Sequence, residues 1–510
     1  PNAVARTVLE KAREVKSVAD WGAKPDGAIS TSALKAAVDS AWADALAGGF
    51  NLHFPEGVYD IGEYSFPWRI SGTATALLDC KNITIYGDGP ATIFKTTSGE
   101  GADVFQLNSV KNLHFRNLKI TAQLTGFLGQ GSNGISVTGG FDNITILDVW
   151  IENMPSLDKG NYVSGGKALS FQSEDATLEV GSLKARIFAK GCAQGFGFES
   201  NLVKLLGKKV AIDVELVAED CFVAVVMGAP AVECPPAPAV CTPVPAGTHA
   251  GVSVRAQAIN CQRDVHLGRV HGVVVECQTI TTKGAAARRL DPNGVAWYAA
   301  EPIVEALQVN YAKNSQIRVT GNKGECDYKA RIGGSNAGAS GLNGATDHCD
   351  IFLDMGAPPP TSDVPDIVVS GDSLEDSKLT VTPTTGIIPV GFYLPSRKNL
   401  LISGAKVRLC NPRISGDLEL ADATDGEAVV GQIRVNGSNV EIRQIASSVA
   451  GNWNLRIKDD ANGQVFGFRQ DGGISTKAAT TGGPTGPVVG KIPFYDDSNT
   501  LIGFAELKAL

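Results

Sequence analysis

Three short segments of this chain echo one another: Lys81-Asn82-Ile83-Thr84-Ile85, Lys111-Asn112-Leu113-His114-Phe115 and Asp142-Asn143-Ile144-Thr145-Ile146, spaced 30 and 31 residues apart. Self-similarity at such a period marks a solenoid. Each unit alternates apolar and polar residues beside a turn residue, and it cannot bury its apolar side until the next unit stacks on it. Parallel β coils meet that demand. A second echo follows, in which Leu183–Ile187 precedes Cys192, Ile212–Leu216 precedes Cys221 and Val252–Ala256 precedes Cys261, each Cys nine residues after the first apolar one. Beyond each Cys a further strand begins, with Phe196 and Phe198, Val225 and Met227, Val265 and Leu267 at matching offsets. These residues are expected to form inward stacks. A fourth coil, Val273–Cys277, extends the register with Thr282 in the Cys position.

Composition agrees. With 58 Gly and only 3 Met in 510 residues, the chain suits many short strands and turns, with few helices. The net charge is −8 and no Lys/Arg cluster is interleaved with aromatics, which argues against a nucleic-acid partner. No apolar run approaches the ~20 residues of a membrane span, so no membrane insertion is expected. The first fifteen residues are too charged for the apolar core of a signal peptide. Ten Cys are too few for a disulfide scaffold and none has zinc spacing; with no calcium-type carboxylate cluster on neighbouring coils, Asp213 and Glu215 being the nearest approach, and no Gly-x-Gly-x-x-Gly in a strand-to-helix setting, no metal and no cofactor are expected. Most read as buried thiols; Cys234 and Cys241, bracketing CPPAPAVC, are either a loop disulfide or two free thiols.

Along the chain, residues 1–17 read as a neck or linker helix with apolar Val4, Val8 and Leu9, giving way to a strand at Val15–Asp20. Ser32 is expected to cap a helix whose Leu34, Ala37, Val38, Ala41, Trp42 and Leu46 recur at helical spacing and whose Gly48 and Gly49 end it. Such a helix would cover an exposed solenoid end. Residues 18–400 are assigned to the solenoid and 401–510 to a small, Gly-rich β domain. Long insertions at about 229–250, 284–294 and 325–347 are expected to wall a binding groove midway along it.

At Val18–Gly27 the sequence VADWGAKPDG resembles the opening motif of pectate-lyase-like β-helix proteins, and FPEGVYDIG at Phe54–Gly62 resembles that family's next strand and turn. The family usually places two acidic residues and a Thr before its helix; Ile29-Ser30-Thr31-Ser32-Ala33 stands here instead. A separate β-patterned C-terminus ending in GKIPFYDDSNTLIGF is similar to the trimerising ends of bacteriophage tailspikes and tail fibres. The resemblance implies an all-β fold, a right-handed parallel β-helix with an N-terminal cap helix and a small C-terminal β domain. It further implies a homotrimer mounted on the phage baseplate or tail through an N-terminal region, acting from the virion tail on a bacterial surface polysaccharide, O-antigen or capsule. Fold analogy sets only a starting point, because the same scaffold serves unrelated chemistries.

The inward stacks assign the candidate site. Alternation puts Lys184 and Arg186, Asp213 and Glu215, Ser253 and Arg255, and Val274 and Glu276 on one outer face. Arg186, Glu215, Arg255 and Glu276 then form a column of alternating charge with the glutamates two coils, ~9.6 Å, apart. That column is either a solvated ion-pair ladder or a carboxylate pair flanking a glycosidic bond, one as general acid and one as base, at a separation near the ~6.5–9.5 Å suited to inversion. Arg255 would then orient an acidic sugar. On the next sheet Asp264 and His266 are expected to point outward together, with Arg263 and Arg269 nearby, as a proton-transfer pair. Trp297 and Tyr298 precede Glu301 and Glu305, an arrangement suited to stacking a sugar ring beside an acid, Glu301; Glu199 is a weaker candidate. The candidate catalytic residues are therefore Glu215, Glu276, Asp264, His266 and Glu301, with Arg255, Arg263, Trp297 and Tyr298 binding substrate. Endolytic hydrolysis is the first reading, β-elimination by a lyase the second. A non-catalytic adhesin and a secreted wall-degrading enzyme are the rivals.

Overall fold

The protein was described as a computed structural model covering residues 15–25, 30–62, 68–73, 75–96, 103–122, 133–154, 166–172, 180–198, 210–228, 251–268, 270–297, 302–310, 312–332 and 349–354, strands between 367 and 409, and five strands between 453 and 506. The chain winds as an all-β parallel β-helix. One sheet climbs from Val15–Ser17 and Asn51–Phe54 through Leu78–Gly87 to Ser182–Lys190, Ala211–Glu219, Val252–Ile259, Val273–Ile280, Gln316–Asn322 and on to Leu400–Ser403. A second runs from Trp68–Ser71 through Lys167–Gln172, Gln194–Phe198, Val223–Gly228, Arg263–Gly268, Glu305–Val309 and Tyr328–Ile332 to Val407–Leu409. A third, shorter sheet holds Gly57–Gly62, Thr92–Thr96 and the C-terminal ends of two long strands, Phe105–Ala122 and Ile135–Glu152.

The echoes stack as their spacing requires. Ile83, Leu113 and Ile144 are register partners, as are Ile85, Phe115 and Ile146, and all six are buried. The Asn of each echo turns the chain in the left-handed region, at φ +59° for Asn82, +58° for Asn112 and +49° for Asn143. Asn tolerates this region better than most residues. Here its amide also ties coil to coil, since Asn143 Nδ2 donates to Oδ1 of Asn112 at 2.8 Å and of Asn82 at 3.2 Å, and Asn112 Nδ2 donates to Asp79 at 2.9 Å. At another corner Gly191, Asp220 and Asn260 take positive φ, and each is followed by one of the three buried cysteines Cys192, Cys221 and Cys261, all free thiols. Inside the helix aromatic rings continue the stacking, with Phe54, Phe94, Phe105 and Phe115 meeting edge to face at centroid separations of 4.9 to 5.1 Å.

Three details differ from the expectations, in the cap, the first strand and the cysteine column. The helix, α1 (Thr31–Gly48), is capped by Ser30 rather than Ser32, because it is the Ser30 hydroxyl that accepts from the Ala33 amide, at 3.3 Å. The first strand ends at Ser17, and Val18–Trp21 turns as a short 3₁₀ segment. Thr282 does not continue the cysteine column; it is exposed and hydrogen-bonded to Asn260, because the chain leaves the coil there for a one-turn helix, α2 (Ala285–Arg288). β-Helical strands run past residue 400 to Leu409, and the chain divides into compact units at 1–432 and 433–510. The second unit holds an antiparallel set, Trp453–Lys458, Gln464–Arg469 and Ile474–Thr476, and an antiparallel pair, Lys491–Tyr495 with Leu501–Glu506. The helix expected over residues 1–14, and Cys234 and Cys241, lie outside the described residues.

The asparagine ladder yields a test. Asn143→Ala loses both amide bonds and forces Ala to a positive φ, a cost of about 2–3 kcal/mol, whereas Asn143→Gly keeps the backbone and should cost about half as much. Denaturant midpoints of the two variants check the order.

Candidate functional site

The outer face of the first sheet carries the column inferred from the sequence, with Arg186 opposite Glu215, Glu215 opposite Arg255 and Arg255 opposite Glu276. It continues one coil further to Arg318, and then to Phe352. Arg186, Glu215, Arg255, Glu276 and Arg318 line a groove of about 520 Å³ together with Phe188, Val217, Gln257, Gln278 and Thr320. A bulge lies at its edge. Arg186 pairs with Leu147 and Ile187 with Val149, so Asp148, at φ +55°, is an extra residue that turns the partner strand. Beyond that bulge the strands up to Val273–Ile280 are each eight or nine residues long.

The charges do not pair as a simple ladder. Arg186 turns away from Glu215 to a two-pronged contact with Asp148, Nε and Nη2 each 2.7 Å from a carboxylate oxygen. Arg255 sets one nitrogen between Asp213, at 3.2 Å, and Glu215, at 3.1 Å. Glu276 is exposed and has no hydrogen bond or ion pair among the described residues, although Arg318 is its register partner. The Arg318 guanidinium lies over the Phe352 ring instead, 4.4 Å from its centroid. Beside them, Gln257 Nε2 donates to Gln278 Oε1 at 3.1 Å, and Trp150 and Phe188 stack face to face at 5.3 Å. The face therefore offers two carboxylates two coils apart, a pair of amides and an aromatic platform on one surface.

The remaining candidates lie elsewhere. Asp264 is not outward beside His266: it enters the helix interior, where Thr279 Oγ1 donates to it at 2.8 Å and Lys323 Nζ at 2.6 Å. Alternation fails at this corner, because both Asp264 and its neighbour Val265 are fully buried. His266 does face the outer side, but it is buried there, with its Nε2 3.2 Å from Asn310 Nδ2. Arg263 is buried as well, its Nε 3.2 Å from Glu305, a carboxylate that also receives Arg331 at 2.5 and 2.8 Å. Gln308 joins them, accepting from both arginines. Trp297 is half-buried 6.2 Å from Phe222, whose ring carries the Arg263 guanidinium on its other contact. Tyr298, Glu301, Glu199 and Arg269 lie outside the described residues. The candidates thus divide between an open groove on the first sheet and a packed arginine–glutamate knot on the second. Among the described residues no group of His, Cys, Asp and Glu is placed to hold a metal ion.

The sequence reading missed Arg318, the Gln257–Gln278 pair and the Trp150–Phe188 stack. Arg318 was within reach, because Ile317-Arg318-Val319 repeats the alternation of the coils before it. Trp150 and Phe188 were not, since the bulge at Asp148 shifts the register that brings them together.

No family model and no curated protein matches the chain. Among solved structures it is similar to ORF18 of Geobacillus virus E2, at 13% identity and a TM-score of 0.33, covering 98% of this chain and 87% of that one. It is also similar to the catalytic domain of Agl-KA, at 13% identity and a TM-score of 0.38, covering 81% of this chain and 69% of that one. Likeness at this level says nothing about chemistry.

The knot has a pH signature. Burial first, then the neighbouring Arg263 and Arg331, lower the His266 pKa from 6.5 to about 3. The unfolded chain binds a proton at His266 that the native state refuses, so its share of stability is present above pH 6.5 and drains away as pH falls toward about 3. Thermal melting between these limits should show a shallower acid loss in His266→Gln than in the parent chain.

Proposed function

We propose that this chain is a bacteriophage tailspike that binds a bacterial surface polysaccharide, O-antigen or capsule, along the outer face of its first sheet and cleaves it endolytically. The supporting observation is the groove itself, where Glu215 and Glu276 stand two coils apart on a broad strand face beside amide and aromatic side chains. A backbone separation of ~9.6 Å leaves room for a water between the carboxylates and so suits hydrolysis with inversion. We assign Glu215, held by Arg255, the role of base toward water and Glu276, across the groove, that of acid. Trp150 and Phe188, stacked on each other at the groove's end, offer apolar ring surface against which a sugar can pack, and Gln257 and Gln278 offer amides to its hydroxyls. The protein acts as a homotrimer on the virion tail, joined to the baseplate or tail through its N-terminal region. A β-helix followed by a second compact β unit suits that role.

Hydrolysis is favoured over β-elimination with His266 as base, because His266 is buried and remote from the groove residues in the sheet pairing. Incubation with purified O-antigens and capsules, followed by reducing ends and by the ultraviolet absorbance of unsaturated uronates, separates the alternatives. The expected result is new reducing ends without absorbance from one polysaccharide, lowered at least ~10²-fold in Glu215→Gln and Glu276→Gln with binding retained. Rising absorbance would mean a lyase, and binding without cleavage an adhesin. In a separate binding assay Trp150→Ala should weaken retention of the same polysaccharide by about tenfold, the loss of one stacking contact.

A further inference from the structure

The helix interior holds one arrangement that the groove does not use. Lys323 follows the strand Gln316–Asn322, and its side chain enters the interior at the level the chain vacates for helix α2. Its Nζ lies 2.6 Å from Asp264 Oδ1 and 2.9 Å from the Cys261 carbonyl oxygen, and both charged side chains are only 1% exposed. Asp264 Oδ2 accepts the Thr279 hydroxyl at 2.8 Å. The buried thiols of Cys261 and Cys277 lie close to the pair. Arg288 is also buried nearby, with its Nη2 on the Glu325 carbonyl and its Nε and Nη1 without a hydrogen-bond partner among the described residues.

We infer that Lys323 and Asp264 are a site of self-modification, at which an amide bond forms between Lys323 Nζ and Asp264 Cγ and covalently ties two coils of the helix. An ion pair this deeply buried is a poor resting state, because removing both charges from water is costly and the low dielectric favours the neutral forms. Burial is also the largest influence raising the Asp264 carboxyl above its ordinary value. One proton passes from Nζ to Oδ1 along the short contact, leaving a neutral amine against a neutral carboxylic acid. The Nζ lone pair then attacks Cγ. Charge developing on Oδ2 is met by the Thr279 hydroxyl and by the positive potential of Arg288, as donors stabilise a tetrahedral intermediate elsewhere. A second Nζ proton moves to Oδ1, the Cγ–Oδ1 bond breaks and one water leaves. One hydrogen stays on the amide nitrogen, and no oxidant, reductant or cofactor enters. The reactants are already held at contact distance, which removes most of the entropic barrier to joining them.

The bond is independent of what the groove binds. Intact-mass measurement of the purified, denatured full chain tests it. The expected mass is lower than that of the sequence by one water, with a proteolytic fragment in which Lys323 is uncleaved and joined to the segment bearing Asp264. Asp264→Asn should lose one ammonia instead, by the same attack on a carboxamide, and Lys323→Arg should show the full sequence mass. A parent chain at the full sequence mass, with Lys323 and Asp264 recovered on separate fragments, would overturn the inference and leave an ordinary buried ion pair.

Discussion

Every coil of this protein depends on the next for its hydrogen bonds. A strand such as Ala211–Glu219 pairs with Ser182–Lys190 on one side and Val252–Ile259 on the other, and its alternate side chains close the interior against those of its neighbours. Neither set of interactions exists within a single coil, so stability is a property of stacking. The inward positions are thereby fixed as apolar or hydrogen-bonded, while the outward ones are free to carry whatever a surface needs. The corners obey the same rule: the left-handed residues Asn82, Asn112 and Asn143 turn the chain and spend their amides on adjacent coils.

The irregular features of the molecule sit where that rule is bent. An extra residue at Asp148 shifts the register by one, and on the coils beyond it Glu215, Arg255, Glu276 and Arg318 stand in a row. Departure of the chain after Ile280 opens a level of the interior, which the charged Lys323 and Asp264 occupy in place of apolar residues. On the second sheet two arginines share one buried glutamate, Glu305, an arrangement that holds strands together and leaves that carboxylate no room for a substrate.

Stacked register was legible in the sequence because a solenoid repeats it: the Asn echoes and the Cys spacing each placed whole coils, and with them the charge column. What escaped were the irregularities. Counting from Val265 and Leu267 places Asp264 outward, yet the chain turns a corner at Cys261 and alternation does not survive it. The pairing of Arg186 with Asp148 rather than Glu215 depends on a bulge, and the entry of Lys323 into the interior depends on a strand that ends one coil away. Periodicity predicts neighbours within a repeat, whereas these contacts arise where the repeat is interrupted.

The most direct measurement is a crystal structure of the Glu276→Gln variant soaked with oligosaccharide fragments of the bacterial polysaccharides proposed as substrate. Sugar rings lying across the first sheet, with a glycosidic bond between positions 215 and 276 and a ring against Trp150 or Phe188, are the predicted result. Sugar bound instead over the second sheet at Arg263 and Glu305, with the first-sheet groove empty, would contradict the account.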